Sequence, residues 1–530
     1  MRRILVLAML GMSFGWVLPA AADVTVPLLA WGSCPAAAPG GASTADFACA
    51  DAVVPMDYAD PGKGSFTLAV IKHAAAKPQE KIGTLFWNPG GPSDAGTQYL
   101  PAGIDRFPQG LREHFDIISW DPRGMGGRTT PVVQCFDSAE AEAKFQSQYA
   151  PGLPRTEQAL AGEFAKRAEF NAACIARNGE LLRHVSTADN ARDLDLLRQA
   201  VGEERISYYG TSYGTFLGAT YINMFPEHLR AAVLDGGVTP SAWMGNDGED
   251  LSLSTFVRLG SDFGAAATLD AFIAACGAAS AADCAFSAGS EQATRQKWSS
   301  LLEKARKDGV SLEGEKIDDG AIVSYVQSNL YLVEALPGFD RFPGYKAVAG
   351  MLQGLWQASE GKAPPPDAAP AAGPPPAAAP APAPYVTSAG RQLAVICGES
   401  PNPDSAEASA RQAEASFARA GLSPWPFGSP CLGWTARAAD PYRGPWNRQT
   451  RQPVLVIGNT FDPATAFGSS LRLAQELAGA RFLPVIGFGH TVLFNPDRCA
   501  QAYVTDYLTA LKLPPTGAFC RDDGSPFGGG

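Results

Sequence analysis

The feature that most constrains the fold is the stretch ISYYGTSYGTFLG at residues 206–218, in which one serine lies between two glycines. Before it, residues 186–202 place apolar side chains on one face of a helix, and residues 205–210 form a short apolar run typical of a buried strand. After it, residues 215–230 predict a second helix and residues 231–237 a second strand. This order predicts a serine held at a sharp strand-to-helix turn.

The two glycines of this motif have a steric explanation. A sharp turn forces the serine into a strained backbone conformation and brings Gly210 and Gly214 close to neighbouring chain, where a Cβ atom would clash. The turn would raise the Ser212 hydroxyl above the sheet and direct the backbone N–H of Tyr213 into the same site. A glycine-rich turn without any chemistry fits the motif alone equally well. The surroundings must therefore decide between the two interpretations.

The same five-residue pattern occurs at residues 11–15 in a different context. Two arginines at positions 2 and 3 precede an apolar run, and small residues follow at Ala20 and Ala22. This arrangement predicts a secretory signal peptide over residues 1–22, and therefore a secreted or periplasmic chain without membrane association. An uncleaved anchor is the alternative, but the apolar run is shorter than the ~20 residues that span a bilayer.

The cysteines agree with export. There are ten, and none belongs to a Cys-x-x-Cys pair. An even number is typical of disulfide bonding in an oxidising compartment. Pairing between sequence neighbours gives a hypothesis of five local bridges: Cys34–Cys49, Cys135–Cys174, Cys276–Cys284, Cys397–Cys431 and Cys499–Cys520.

Charge and motif content exclude several classes of partner. The formal net charge is −11 and the pI is near 5.1. Nucleic acid or an anionic membrane surface would require a basic patch, so we expect neither as a partner. No stretch resembles His-Glu-x-x-His, a paired Cys/His cluster or a P-loop, so we expect no metal and no cofactor.

A second glycine-containing turn supplies a candidate oxyanion hole. Residues 82–87 predict a strand that runs directly into Asn-Pro-Gly-Gly-Pro at residues 88–92. Without side chains at the glycines, backbone N–H groups can face a developing oxyanion, and we assign this role to Gly91 together with Tyr213. The alternative is that this segment is simply a turn.

The base and the acid follow from chain order. In an α/β-hydrolase the order is serine, acid, histidine. Of the five histidines, His490 lies downstream of Ser212 with room for an acid between them, at the end of a predicted strand. Asp462 ends the preceding predicted strand and is the favoured acid. Asp235, which follows the strand after the serine turn, is the alternative.

Short motifs form a series along most of the mature chain. They are WGSC at 31–34, VPMDYADP at 54–61, NPGGP at 88–92, DPRGMG at 121–126, GTSYG at 210–214, LDGG at 234–237, NTFDPATA at 459–466 and GFGHT at 487–491. In this order they resemble the secreted bacterial tripeptidyl aminopeptidases, of the proline-iminopeptidase-like family of α/β-hydrolase serine peptidases. Ser93 and Thr491 depart from the family pattern, which usually has glycine there; both are expected to alter loop shape and substrate fit.

The resemblance implies an α/β-hydrolase fold with a mainly helical lid lobe inserted between late strands of the sheet. We expect the first part of the core at residues 23–239, the lid lobe at 240–425 and the rest of the core, with the acid and the histidine, at 426–530. Helical spacing near residues 263–279, and after residues 291 and 319, supports the lid. Within it, the Pro/Ala-rich stretch 362–384 predicts an extended loop.

The function implied is that of a secreted serine exopeptidase that releases short peptides, by resemblance tripeptides, from free N-termini. Ser212 would attack the peptide carbonyl, His490 would transfer the proton and Asp462 would orient the imidazole. Peptides are the expected partners, and the chain is expected to be a monomer. A secreted carboxylesterase with the same triad is one alternative, and an inactive hydrolase fold used for binding is another.

The protonated amine of such a substrate needs a carboxylate partner. Glu399, in LAVICGES at residues 393–400, is the candidate because an apolar run ends there in a polar loop. The resemblance also places an acid two residues after such a cysteine. The alternative is a solvated surface glutamate.

Overall fold

The computed structural model describes residues 24–36, 41–124, 128–148, 156–246, 248–312, 315–336, 339, 342–362, 388–421, 430–521 and 524–528. The signal peptide predicted at residues 1–22 and nearly all of the Pro/Ala-rich stretch 362–384 lie outside these residues.

Strands in the described residues form one large sheet and one small hairpin. They are β1 (Gly32–Ser33), β2 (Phe47–Pro55), β3 (Ser65–His73), β4 (Gly83–Asn88), β5 (Phe115–Trp120), β6 (Ile206–Thr211), β7 (Leu229–Asp235), β8 (Val310–Leu312), β9 (Glu315–Ile317), β10 (Leu455–Phe461), β11 (Arg481–Phe488) and β12 (Cys520–Arg521). Ten of them make a sheet in the order β1-β2-β3-β5-β4-β6-β7-β10-β11-β12. From β5 to β12 all neighbours are parallel, whereas β1, β2 and β3 are antiparallel to theirs.

Helices connect the strands, and those of the described part of the chain are α1 (Gly96–Gly103), α2 (Gln109–His114), α3 (Ala139–Gln146), α4 (Glu157–Asn178), α5 (Thr187–Ala200), α6 (Tyr213–Met224), α7 (Pro240–Met244), α8 (Thr255–Arg258), α9 (Ser261–Ala278), α10 (Glu291–Asp308), α11 (Asp319–Asn329), α12 (Tyr345–Ser359), α13 (Ser388–Glu399), α14 (Ala406–Ala420), α15 (Phe467–Glu476) and α16 (Arg498–Ala510). None of these is both long enough and apolar enough to cross a membrane.

Both faces of the sheet are covered. Tyr208 and Tyr209 are neighbours in β6, yet Tyr208 belongs to the core cluster that includes Leu217 of α6, and Tyr209 to the cluster that includes Leu508 of α16. Successive strand residues point to opposite faces, so a strand covered on both sides must be apolar at nearly every position. This explains why the run before the serine turn lacks polar alternation.

The helix after the serine turn is shorter than the sequence predicts. It ends at Met224, and Pro226–His228 form a 3₁₀ turn before β7 begins at Leu229. The prediction of a helix over residues 215–230 was wrong at its C-terminal end. Proline disfavours helical geometry at the preceding residue and cannot donate an N–H to the helix ladder.

The segment between β7 and β10 is mostly helical. The predicted helices near residues 263–279, 291 and 319 correspond to α9, α10 and α11. Together with α12, they form a separate core cluster around Phe272, Leu301, Val326, Tyr345 and Leu352. The division into a core and a lid lobe at residues 240–425 stays a prediction.

All five predicted cysteine pairs are disulfides: Cys34–Cys49, Cys135–Cys174, Cys276–Cys284, Cys397–Cys431 and Cys499–Cys520. The bridges are local, with sequence separations from 8 to 39 residues. The hypothesis of pairing between sequence neighbours is confirmed. Five disulfides are typical of extracellular and periplasmic proteins.

The sheet determines where a site can form. β4, β6, β10 and β11 are parallel, so the loops that follow them meet at one edge. Ligand sites in open α/β sheets lie outside the carboxyl ends of the strands. The candidate residues Gly91, Ser212, Asp462 and His490 all lie in loops at this edge.

Candidate active site

Ser212 lies at the turn between β6 and α6 in a strained conformation. Its φ is 57° and its ψ is −128°, an arrangement that non-glycine residues rarely adopt. Such strain costs about 1–3 kcal/mol and persists only where the surrounding structure enforces it. The N–H of Ser212 donates to the carbonyl of Asp235 at 3.0 Å, which fixes the turn against β7.

The flanking glycines are required for close packing. A Cβ on Gly214 would lie 2.5 Å from the carbonyl oxygen of Asn88, and one on Gly210 would overlap the carbonyl of Gly214. Real Cβ atoms do not approach so closely. The geometry agrees with the steric explanation drawn from the sequence.

His490 and Asp462 follow the parallel neighbours β11 and β10. The Nδ1 atom of His490 lies 2.9 Å from Oδ2 of Asp462 and 3.0 Å from Oδ1. The carboxylate also accepts hydrogen bonds of 2.9 Å from the N–H groups of Ala464 and Thr465 and from the Thr465 hydroxyl. It is therefore fixed in position and holds the imidazole by Nδ1.

Asp235, the alternative acid, has other partners. Its carboxylate accepts hydrogen bonds of 3.0 Å from the N–H groups of Val492 and Leu493 and from the Tyr209 hydroxyl. Burial raises the pKa of Asp235 to about 6, and these hydrogen bonds act in the opposite direction. Asp235 thus shapes the loop that carries His490, while Asp462 contacts the imidazole itself.

The glycine turn after β4 lies against the serine turn. The Thr211 hydroxyl donates to the carbonyl of Pro89 at 3.0 Å, which joins the two segments. The N–H of Gly90 donates to Oδ1 of Asn88 at 3.1 Å. Gly91 is next in the chain, and Tyr213 is the first residue of α6. The positions are compatible with the predicted oxyanion hole.

Ser212 and His490 line one cavity of about 560 Å³. This volume is typical of sites for small ligands. The aromatic and aliphatic lining residues are Tyr99, Tyr331, Leu332, Phe339, Phe342 and Phe494. The polar lining residues are Ser93, Asp94, Gln327, Ser328, Asn329 and Gln392, and Pro89 and Gly91 complete the wall. The nucleophile and base candidates thus share a space that is lined by both apolar and polar side chains.

Relatives with named activities align with most of the chain. Tripeptidyl aminopeptidase of Streptomyces lividans is 28% identical over 501 residues, which cover 90% of this chain and 84% of that protein. Serine protease Hip1 of Mycobacterium tuberculosis is 28% identical over 513 residues, covering 91% and 88%. Carboxylesterase B of the same organism is 28% identical over 518 residues, covering 94% and 91%.

Two family models match the parts of the chain that carry the candidate residues. The model described as alpha/beta hydrolase fold matches residues 86–270, which include Gly91 and Ser212. The model described as TAP-like protein matches residues 424–520, which include Asp462 and His490. The chain is a serine hydrolase with an α/β-hydrolase fold.

Glu399 is the last residue of α13 in this hydrolase, and its side chain is buried rather than solvated. Its carboxylate accepts hydrogen bonds from the N–H of Thr187 at 2.9 Å, the Thr187 hydroxyl at 2.6 Å and Nε1 of Trp243 at 2.8 Å. The Thr187 hydroxyl also lies 2.6 Å from that of Tyr213. Burial raises the pKa of Glu399 to about 7.

Glu399 is not among the described residues that line the cavity. The interpretation of a solvated surface glutamate was wrong, because the apolar run before it is a helix that packs its C-terminal end into the core. Its predicted role in binding a substrate amine stays a prediction.

Sequence reasoning missed several cavity residues of the hydrolase. Asp94 lies three residues after Gly91, so its closeness to the glycine turn was an available signal. Tyr331 and Phe342 offered none, because they come from a segment far along the chain; the Tyr331 ring nevertheless lies edge-on to the His490 ring, with centroids 5.1 Å apart.

One group of side chains in the described residues lies close enough together to share a metal ion: Asp497, Cys499 and Cys520. Cys499 and Cys520 form a disulfide, so neither offers a thiolate ligand. The group is therefore part of the C-terminal disulfide rather than a candidate metal centre.

Proposed function

We propose that this hydrolase is an exported serine peptidase that removes short peptides, three residues long, from free N-termini through an acyl-enzyme at Ser212. The observation that carries the proposal is the cavity in which a strained serine and a histidine held by a buried carboxylate face the same space. Similarity to serine protease Hip1 and to tripeptidyl aminopeptidase supports a peptide as the substrate.

In the first half-reaction, Ser212 Oγ attacks the peptide carbonyl and His490 Nε2 takes the hydroxyl proton. Asp462 accepts the Nδ1–H bond, which holds the imidazole in the tautomer that can act as a base. The peptide C–N bond then breaks, and the leaving amine takes the proton from His490. In the second half-reaction, water hydrolyses the ester by the same proton path and releases the short peptide.

The tetrahedral oxyanion would be stabilised by the N–H groups of Gly91 and Tyr213. Tyr213 follows Ser212 directly at the start of α6, and Gly91, on the turn after β4, lines the same cavity as Ser212. One such donor is typically worth about 3 kcal/mol of transition-state stabilisation.

The segment between β7 and β10 would act as the lid. Gln327, Tyr331, Phe342 and Gln392 of this segment line the cavity together with Ser212. A wall supplied by an inserted segment restricts how much of a polypeptide can enter, as an exopeptidase requires. We assign residues 240–425 to this lid lobe and expect the enzyme to act as a monomer.

The proposal of export rests on the disulfides and on the N-terminal sequence rather than on the active site. The five disulfides support an oxidising compartment, and the leader predicted at residues 1–22 supports secretion or periplasmic location.

The second candidate is a carboxylesterase, favoured by the similarity to carboxylesterase B. A single comparison separates the two. The rates on a tripeptidyl p-nitroanilide with a free amine, on its N-acetylated form and on a p-nitrophenyl ester are measured with the same enzyme. For an aminopeptidase, acetylation should lower kcat/KM roughly tenfold to hundredfold, because it removes one charge-assisted contact.

Ser212→Ala is the control for contaminating hydrolases and should be inactive on all three substrates. Equal rates on the free and acetylated peptides would reject the aminopeptidase proposal. Hydrolysis of the ester alone would favour the carboxylesterase.

A further inference from the structure

The cavity of the hydrolase has one carboxylate in its wall. Among the described lining residues, Asp94 is the only acidic side chain, and none of them is lysine or arginine. Asp94 lies on the loop between β4 and α1, the same loop that carries Gly91. The charge facing the cavity beside Ser212 and His490 is therefore negative, which favours a cationic group in the ligand.

The loop around Asp94 is fixed at both ends. On one side, Nε2 of Gln392 in α13 donates to the carbonyl of Gly91 at 3.2 Å. On the other side, Thr97 in the first turn of α1 donates to Asp121, by its N–H at 2.8 Å and by its hydroxyl at 2.9 Å. The backbone that carries Asp94 is thus held at two points before a ligand binds, so little ordering of the loop is needed when a ligand arrives.

The cationic side chain that interacts electrostatically with Asp94 is that of Arg391. Arg391 is buried next to Gln392 in α13 and does not line the cavity. Burial lowers the pKa of Arg391 to about 10, and the opposing influences include Asp121 first and then Asp94 and Glu142. Of these three carboxylates, Asp94 is the one in the cavity wall.

We propose that Asp94 receives the α-ammonium group of the peptide substrate. The role of Asp94 rests on the proposed aminopeptidase function. It would explain why the enzyme requires a substrate with a free N-terminus. An ammonium that leaves water needs an anionic acceptor, and a charge-assisted hydrogen bond to a carboxylate is the strong form of that contact.

Asp94 is better suited to this role than Glu399. Among the described residues, the donors to Glu399 are Thr187 and Trp243, and Glu399 is outside the described cavity lining. Asp94 also lies on the loop of the oxyanion hole, so its distance from the attacked carbonyl is set by one short segment. Since an extended chain advances about 3.3 Å per residue, a fixed acceptor would select the length of the released peptide.

The test uses the full chain and the Asp94→Asn variant, which keeps the shape of the side chain and removes its charge. The quantity measured is the ratio of kcat/KM on the free-amine tripeptidyl p-nitroanilide to that on its N-acetylated form. The ratio should fall roughly tenfold or more in the variant, through KM more than kcat, because a charge pair shielded from water is lost. Asp94→Glu, which keeps the charge, should restore part of the ratio.

Two variants act as matched controls. Asp105→Asn removes the same charge at a side chain that is 89% exposed and outside the cavity lining, so the ratio should not change. Glu399→Gln should also leave the ratio unchanged; a fall there and none in Asp94→Asn would reassign the amine to Glu399. Enzyme concentrations are set by titration with a fluorophosphonate, which corrects for any misfolded fraction.

The wild-type ratio and the variant ratio report on different claims. A wild-type ratio near one rejects the aminopeptidase function, and the role of Asp94 with it. A large wild-type ratio that survives in Asp94→Asn rejects Asp94 alone. An equal loss on both substrates in Asp94→Asn means that the residue only holds the loop, and this also rejects the proposal.

Discussion

The carboxyl ends of the parallel strands and the helical segment between β7 and β10 each place a buried carboxylate near the serine turn. Asp462 comes from the sheet and is 1% exposed; Glu399 comes from the helical segment and is 3% exposed. Each accepts three hydrogen bonds from fixed neighbours in its own surroundings. By burial and hydrogen bonding alone, the two acids are alike.

The two acids differ in the groups to which they are connected. Asp462 also binds Nδ1 of His490, whereas the Thr187 hydroxyl that donates to Glu399 reaches the Tyr213 hydroxyl. In the proposed mechanism the first acid orients the base, whereas the second fastens α13 to α5 and, through Thr187, to Tyr213. A buried, saturated carboxylate is not by itself a sign of catalysis, because its partner decides its role.

The largest effect on kcat is expected for Asp462, the acid that follows β10. Asp462→Asn should lower kcat roughly 10⁴-fold, because the amide no longer holds the imidazole in the required tautomer. Asp235→Asn should cost far less, since that side chain contacts the loop after His490 rather than the ring. Steady-state kinetics on the p-nitrophenyl ester measure both variants. The opposite ranking would reverse the roles of the two aspartates.

Glu399 should appear in the pH dependence of stability instead. Burial raises its pKa from 4.5 in a model peptide to about 7, so the folded protein binds this proton more tightly than the unfolded chain. The stabilisation is then present below pH 4.5 and lost as the pH rises through about 7, with a magnitude on the order of 3 kcal/mol.

Urea unfolding of the wild type and of Glu399→Gln at pH 5 and pH 8 checks this. The free energy of unfolding of the wild type should fall more between the two pH values than that of the variant. Parallel behaviour of the two proteins would mean that Glu399 is ionised throughout.

The smallest effect is expected for the cavity wall supplied by the helical segment. Phe342 stacks on Tyr331 with ring centroids 4.7 Å apart, and both line the cavity. Phe342→Ala should raise KM for the peptide roughly tenfold with little change in kcat, because apolar contact area is lost but the reacting groups stay in place. Phe417→Ala, at a side chain 54% exposed, is the control. A drop in kcat alone would mean that the segment takes part in the chemistry.

The sequence predicted the residues at the carboxyl ends of the parallel strands better than those of the helical segment between β7 and β10. The strained turn at Ser212 could be predicted because it needs glycines on both sides, and the pairing of His490 with Asp462 because of their order along the chain. The disulfides followed from neighbouring cysteines. These constraints are local, or they depend on the order of elements in the fold.

The cavity wall could not be predicted in the same way. Tyr331 reaches His490 through packing between residues far apart in the chain, and no local pattern encodes that contact. The same holds for Glu399: its helix was visible as an apolar run, but its partners Thr187 and Trp243 are distant in sequence. Periodicity predicts which face of a helix is buried and not what it is buried against.

The most direct test of the account is to label the purified protein with a fluorophosphonate and map the adduct by peptide mass spectrometry. We predict one adduct, on the peptide that contains Ser212, and none in Ser212→Ala at an unchanged melting temperature. Labelling should also be slower in Asp462→Asn, because the base is no longer oriented. An adduct on any other residue, or undiminished hydrolysis by Ser212→Ala, would contradict the assignment of the nucleophile and the proposed reaction with it.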